Sequence, residues 1–354
     1  MAKMQDMLKR MVVENASDIH LVSGAPPLFR VAGELVSFEE EKLSSEDCRK
    51  LCYSVMTEEQ RGLFEERKEL DFSFALAQLG RFRANVYLQR GAASLALRLI
   101  PHEIQSLEDL KLPSILGDLT ERPSGLILVT GATGSGKSTT LAAMLDKINR
   151  TKTGHILTIE DPIEFVHAHK KCLISQRELN SDTPSFASAL KTALRQDPDF
   201  VLIGELRDPE TMETALTIAE TGHLTFGTLH TNSAVQTISR MLDAFPADKQ
   251  DQIKTQLSFV LQSVVSQTLL PKIGGGRVLA SEILVGTPAI RAMIRDGKLH
   301  QVQGMIETGK KFGMHTLNSS LADLVNRGLV TQKNALERST DKEGLGRLLS
   351  GSVY

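Results

Sequence analysis

Apolar residues at Met4, Met7, Leu8 and Met11 recur at the three- and four-residue spacing of one helix face, with Asp6, Lys9 and Arg10 between them. The chain is therefore expected to open with an amphipathic helix. Asp18–Val22 and Leu28–Val31 read as short strands, turned by Pro26-Pro27 and Ala32-Gly33. Ser44 and Thr57 each precede a helical pattern, and Gln60 completes a capping box with Thr57. Asp71–Leu76, Arg81–Leu88 and Ser94–Ile100 alternate apolar and polar residues, as half-buried antiparallel strands do. Residues 1–100 thus read as a small α+β domain, and 101–112 as a linker. In residues 113–354 the pattern changes. The apolar runs Gly125–Thr130, His155–Ile159, Asp199–Ile203 and Leu224–Leu229 are short, continuous and separated by helical segments, which predicts a parallel sheet covered on both faces. Beyond Pro246 the pattern is mostly helical, with a hairpin expected around Gly274-Gly275-Gly276.

With 354 residues, two domains of ordinary size are expected, each able to bury its own core. No apolar stretch approaches the length of a bilayer span, and the charged first helix does not resemble an export signal, so a cytoplasmic protein is expected. Cys48, Cys52 and Cys172 are too few and wrongly spaced for a zinc ribbon and read as free thiols. A formal net charge of -2 offers no overall attraction to nucleic acid, so protein is the better partner class and no nucleic acid is expected.

The chemistry concentrates in Gly131-Ala-Thr-Gly-Ser-Gly-Lys137-Ser138, which follows an apolar strand and opens a helical run at Thr139. That context suits a phosphate-binding loop. Glycines let backbone N–H groups turn toward phosphates, Lys137 supplies a charge, and Ser138 can hold magnesium. The nucleotide-binding set is Gly131, Ala132, Thr133, Gly134, Ser135, Gly136, Lys137, Ser138 and Thr139, with ATP and Mg2+ as ligands. Val201–Ile203 ends shortly before Glu205, a second acid able to reach the metal, and Glu160, Asp161 and Glu164 surround Pro162 at another strand end, where a carboxylate can activate water. His223 and His230 bracket one strand. His230 shares its end with the other motifs and is the better γ-phosphate sensor.

The loop, together with Thr158–Phe165, Gly204-Glu-Leu-Arg-Asp208 and Ala219–Thr231, resembles the Walker A, Asp-box, Walker B and His-box set of secretion and pilus ATPases. The similarity runs from Ser17-Asp-Ile-His20 to about Leu324 and is strongest to the retraction branch of type IV pilus ATPases. Thr287-Pro-Ala-Ile-Arg-Ala-Met-Ile-Arg295 and Gly313-Met-His-Thr-Leu317 resemble that branch's C-terminal segments. The resemblance implies a PAS-like N-terminal domain, a RecA-like P-loop ATPase domain with a helical C-terminal region, and a homohexamer at the cytoplasmic face of the inner membrane, on a pilus platform protein. It implies Glu164 as the water-activating residue, Glu205 as the magnesium-associated acid, His223 and His230 as the His-box pair with His223 on nucleotide, and an arginine finger among Arg81, Arg83 and Arg98.

Two departures stand out. Ala292-Met293 replaces a position where the family usually carries a polar residue, and the tail from Glu337 to Tyr354 has no placed counterpart. The alternatives are an accessory retraction ATPase, a pilus-extension or type II secretion ATPase, a nucleic-acid translocase and a non-hydrolysing nucleotide sensor. Extension relatives typically carry a paired-cysteine zinc motif that three scattered cysteines cannot supply. DNA stimulation of hydrolysis would identify a translocase. Retention of Lys137, Ser138, Glu164 and Glu205 argues against a dead site.

Overall fold

The computed structural model describes residues 4–38, 40–76, 79–101 and 103–351. The last three residues of the tail lie outside them. The chain divides into two units, Met1–Glu103 with Glu164–Val166, and Ile104–Ile163 with His167–Tyr354.

The first unit runs α1 (Met4–Val13), β1 (Asp18–Leu21), β2 (Leu28–Val31), β3 (Glu34–Ser37), α2 (Ser45–Ser54), α3 (Glu58–Arg67), β4 (Glu69–Leu76), β5 (Gly80–Gln89) and β6 (Ala92–Ile100). In α1, Met4, Met7, Leu8 and Met11 are buried on one stripe, as their spacing requires. Thr57 and Gln60 form the expected capping box before α3, and Ser44 forms a second with Asp47 before α2. The strands make an antiparallel sheet in the order β3-β2-β1-β6-β5-β4. One face, with Phe29, Ile19, Leu97 and Ala84, joins the helix residues in a single apolar core. The register places Arg30, Asp18, Arg98, Arg83 and Ser73 directly opposite one another across five strands. Like charges opposite each other repel, and Asp18 separates two of these guanidinium groups.

The second unit contains α4 (Ile115–Leu119), β7 (Gly125–Thr130), α5 (Lys137–Thr151), β8 (Gly154–Glu160), β9 (Cys172–Glu178), α6 (Phe186–Ala193), β10 (Phe200–Ile203), α7 (Pro209–Glu220), β11 (Leu224–Leu229), α8 (Ala234–Asp243), α9 (Ala247–Val260), β12 (Leu261–Pro271), β13 (Arg277–Val285), α10 (Pro288–Arg295), α11 (Val302–Thr308), α12 (Leu317–Asn326), α13 (Gln332–Arg338) and α14 (Lys342–Leu349). Its sheet has the order β13-β12-β7-β11-β10-β8-β9, parallel except for the β12–β13 pair. β7, β10 and β11 are buried at every position because helices cover both faces. The four apolar runs read from the sequence are the four central strands β7, β8, β10 and β11.

The region beyond Pro246 is less helical than its sequence pattern suggests. The expected hairpin reaches from Leu261 to Val285. β12 docks parallel to β7, and that pairing converts a long apolar run, ambiguous in isolation, into strand. The tail has a structural task. Leu345 of α14 is fully buried in a separate small core with Leu270, Ala280, Leu321 and Val330.

Candidate functional site

In a parallel sheet all strands end at one edge, so every loop following a strand opens on the same side. Thr130 of β7 stands opposite Leu229 of β11, and Ile203 of β10 stands opposite Gly227 of β11 and Ile159 of β8. The phosphate loop, the Glu160–Asp161 pair, Glu205 and His230 therefore share the carboxyl edge.

The loop from Gly131 to Gly136 joins β7 to the fifteen-residue α5. Gly131, Gly134 and Gly136 adopt φ of 139°, 80° and 92°, in the region that favours glycine. The start of α5 carries no capping side chain, so its first N–H groups are left for an anion. Lys137 Nζ donates to the carbonyls of Gly131 at 2.7 Å and Ala132 at 3.1 Å, which lays the ammonium across the loop. Ser135 is 5% exposed, and its buried Oγ has no protein hydrogen-bond partner. An orphaned hydroxyl, inward-turning glycines and an uncapped helix start fit a polyphosphate. Ala132 and Thr133 are exposed, whereas Ser138 and Thr139 are half-buried in the first turn of α5.

Residues not singled out from sequence hold this loop from behind. Gln267 of β12 donates through Nε2 to Thr140 Oγ1 at 2.7 Å, and its carbonyl closes on Gly131. Thr130 and Ser266 share a buried hydroxyl–hydroxyl bond of 2.8 Å. No local signal marks these residues, because the contact depends on β12 pairing with β7.

Glu205 receives Arg207 Nε at 2.8 Å on one oxygen and faces His230 Nε2 at 3.3 Å on the other. Arg207 also reaches Asp161 at 3.4 Å. The structure thus links Asp161, Arg207, Glu205 and His230 in one chain of polar contacts. Arg207 lies inside the Gly204–Asp208 motif, and the sequence alone assigns it no role. Asp208, in the same motif, caps α7 by accepting from Thr211 N at 2.9 Å. Glu160 is buried and accepts from Thr158 Oγ1 at 2.7 Å. Among the described residues no group of three His, Cys, Asp or Glu could hold a metal alone. The donors fit magnesium in the way that ion prefers, through one hydroxyl or carboxylate, water and substrate phosphates. Ser138 and Glu205 are the residues that would hold it.

His223 does not join this edge. It precedes β11, whose first residue pairs with Gly125, so six strand residues, roughly 20 Å, separate it from the loop of its own chain. There Nδ1 meets the Ile218 carbonyl at 3.0 Å, beside an open hollow of about 290 Å³ that also includes Arg122, Lys152 and Asp199. Of the three candidate finger residues, Arg98 is ion-paired to Asp18 at 2.7 Å, Arg81 donates to Ser73 Oγ at 2.5 Å, and Arg83 is exposed on the same strand. All three belong to the first unit. Glu164 is exposed in the segment Glu164–Val166, also counted with the first unit. The cysteines are all buried and free, and burial pushes the Cys52 thiol up to about 12.

Beyond Glu164, burial pushes the His167 imidazole down to about 4, against an ordinary value of 6.5. Below about pH 6.5 the unfolded chain takes up a proton that the folded chain refuses, so stability is lost as pH falls toward 4. Between about pH 7 and about pH 5 this histidine is expected to cost about 2 kcal/mol. Denaturant unfolding of His167→Gln should show a shallower loss over that interval than the parent. Equal slopes would mean that the imidazole is solvated in the native state.

Comparison with known proteins gives concordant matches. The model of the family described as type II/IV secretion system protein matches residues 1–336. The chain is 51% identical over 326 residues to the type IV pilus retraction ATPase PilT of Pseudomonas aeruginosa, covering 92% of this chain and 95% of that one. It is 46% identical over 340 residues to a twitching motility protein of Neisseria gonorrhoeae, covering 96% and 91% respectively. A crystal structure of the pilus retraction motor PilT with bound ADP superposes with a TM-score of 0.92 at 51% identity, over 98% of this chain and 100% of that one.

Proposed function

Because this chain belongs to the type II/IV secretion system protein family, we propose that it is an ATPase motor that powers type IV pilus retraction and twitching motility. The observation that carries the reading is the shared carboxyl edge. A glycine loop with Lys137 across it, the acids Glu160, Asp161 and Glu205, and His230 open on one side of one sheet. The retraction branch is supported by the 51% identity to PilT over nearly the whole chain.

The substrate is ATP with magnesium; the loop N–H groups and Lys137 bind its phosphates, and Ser138 and Glu205 would hold the ion. When bound, magnesium neutralises charge on the β- and γ-phosphates. Glu164 orients a water and accepts its proton as the water oxygen attacks the γ-phosphorus. The bond to the bridging oxygen breaks, and ADP leaves with the electron pair. His230, 3.3 Å from Glu205, senses the γ-phosphate, and Arg207 holds Glu205 from the other side. The motor works as a homohexamer in which an arginine among Arg81, Arg83 and Arg98 of a neighbouring copy completes the charge stabilisation. It acts in the cytoplasm against an inner-membrane platform protein, without nucleic acid. Among the described residues no helix is long and apolar enough to cross a membrane.

The deciding experiment pairs the ATPase rate of purified Glu164→Gln with pilus retraction in a strain carrying it. Loss of both while pili still assemble supports the reading. Loss of hydrolysis with retraction intact would assign this chain to another machine or to an accessory role.

A further inference from the structure

Residues 161–171 cross from β8 to β9 almost without regular structure, yet their backbone is gripped by buried and half-buried side chains of the second unit. Just before Glu164, Ile163 N donates to Glu178 Oε2 at 3.1 Å. Just after the segment Glu164–Val166, His167 N donates to Gln176 Oε1 at 2.8 Å. The same amide of Gln176 donates through Nε2 to Glu160 Oε1 at 3.3 Å, so one side chain of β9 joins the end of β8 to the residue that follows the segment Glu164–Val166. Further on, Asn149 of α5, fully buried, donates to Ala168 O at 2.7 Å and accepts from Lys170 N at 3.1 Å and Cys172 N at 3.2 Å. Lys170 Nζ closes on buried Asp146 of the same helix at 2.5 Å.

From this geometry we infer that Gln176 and Asn149 are positioning residues for hydrolysis, fixing the backbone that follows Glu164 while Glu178 holds the amide before it. The inference rests on the reading of Glu164 as the water-activating residue. Loop backbone without helix or strand partners is otherwise free to wander, and misplacing a reacting group by about 1 Å can cost about 100-fold in rate. Glu164 is separated by one peptide bond from a pinned amide. Asn149 lies twelve residues after Lys137 on one continuous helix, a rise of about 18 Å. The helix whose start meets the phosphates therefore holds the catalytic loop with its far half. A purely stabilising role would lower folding stability without regard to Glu164.

A double-mutant cycle separates the two. Gln176→Ala and Asn149→Ala are each expected to lower kcat about tenfold, with KM and the affinity for a fluorescent ADP analogue unchanged within about twofold. In a Glu164→Gln background, single-turnover hydrolysis should fall no further when Gln176→Ala is added. The milder Gln176→Ala keeps the test open if Asn149→Ala does not fold. The inference is overturned if the Gln176 variant keeps wild-type kcat, if kcat and ADP affinity fall together, or if the two losses multiply. Near-normal hydrolysis by Glu164→Gln alone would instead sink the assignment of Glu164.

Discussion

Replacing Lys137 by alanine is expected to lower ATP hydrolysis at least about 100-fold and to weaken nucleotide binding with it. The ammonium is drawn across the loop by the carbonyls of Gly131 and Ala132, at 2.7 and 3.1 Å, rather than extended toward solvent. A charged donor already lying on the loop has little rotamer freedom to lose when a phosphate oxygen arrives, and a charge-assisted bond to phosphate is about twice as strong as a neutral one. The charge matters most as the γ-phosphoryl group transfers, so the rate should fall further than the affinity. Phosphate release and equilibrium binding of a fluorescent ADP analogue measure the two effects separately. Hydrolysis within about tenfold of wild type would mean that the loop does not hold the polyphosphate through this side chain.

The second large effect is expected from Gly131→Ala. At this position φ is 139°, and an added Cβ would stand 2.3 Å from the Gln267 carbonyl oxygen and 2.6 Å from Ser135 Oγ. The first obstacle is backbone of β12 and cannot swing aside as a side chain can. Strain and overlap together should destabilise the second unit by about 2–4 kcal/mol and reduce ADP affinity by at least about tenfold. Gly134→Ala supplies the contrast, because it has φ of 80° with nothing within 4 Å of the added carbon. It should cost about 1 kcal/mol, from conformation alone. Equal destabilisation of the two variants in urea would show that contact with β12 does not shape the loop.

The loop and its central strands were legible in the sequence because their cause is local. A continuous apolar run, a glycine triplet and a lysine opening a helix need no knowledge of the rest of the chain. Gln267, Gln176 and Asn149 were not legible, since each acts on residues that only sheet pairing or helix docking brings near. β3 and β9 were missed for a related reason. Both are edge strands, and their half-exposed sequences alternate weakly. The hairpin at Gly274-Gly275-Gly276 was legible, but the reach of its arms, Leu261–Pro271 and Arg277–Val285, was not, because β7 supplies the partner for β12. Arg207 sat in plain view within Gly204–Asp208, but its geometry between Asp161 and Glu205 emerges only when β8 and β10 lie side by side. His223 illustrates the converse. Its motif joins it to His230, while the strand between them holds the two apart.

That strand has a mechanical meaning. β11 is buried along its whole length and hydrogen-bonded to β7 on one side and β10 on the other. Sliding it by one residue would turn every buried side chain to the opposite face, so it has no soft direction along its axis. A close-packed sheet of this kind behaves as a stiff plate, low in compressibility. A force arising where phosphate is cleaved therefore cannot be absorbed within the strands. The compliance of such an engine must reside in the connections at its rim, and the plate serves as the fixed bearing against which they swing.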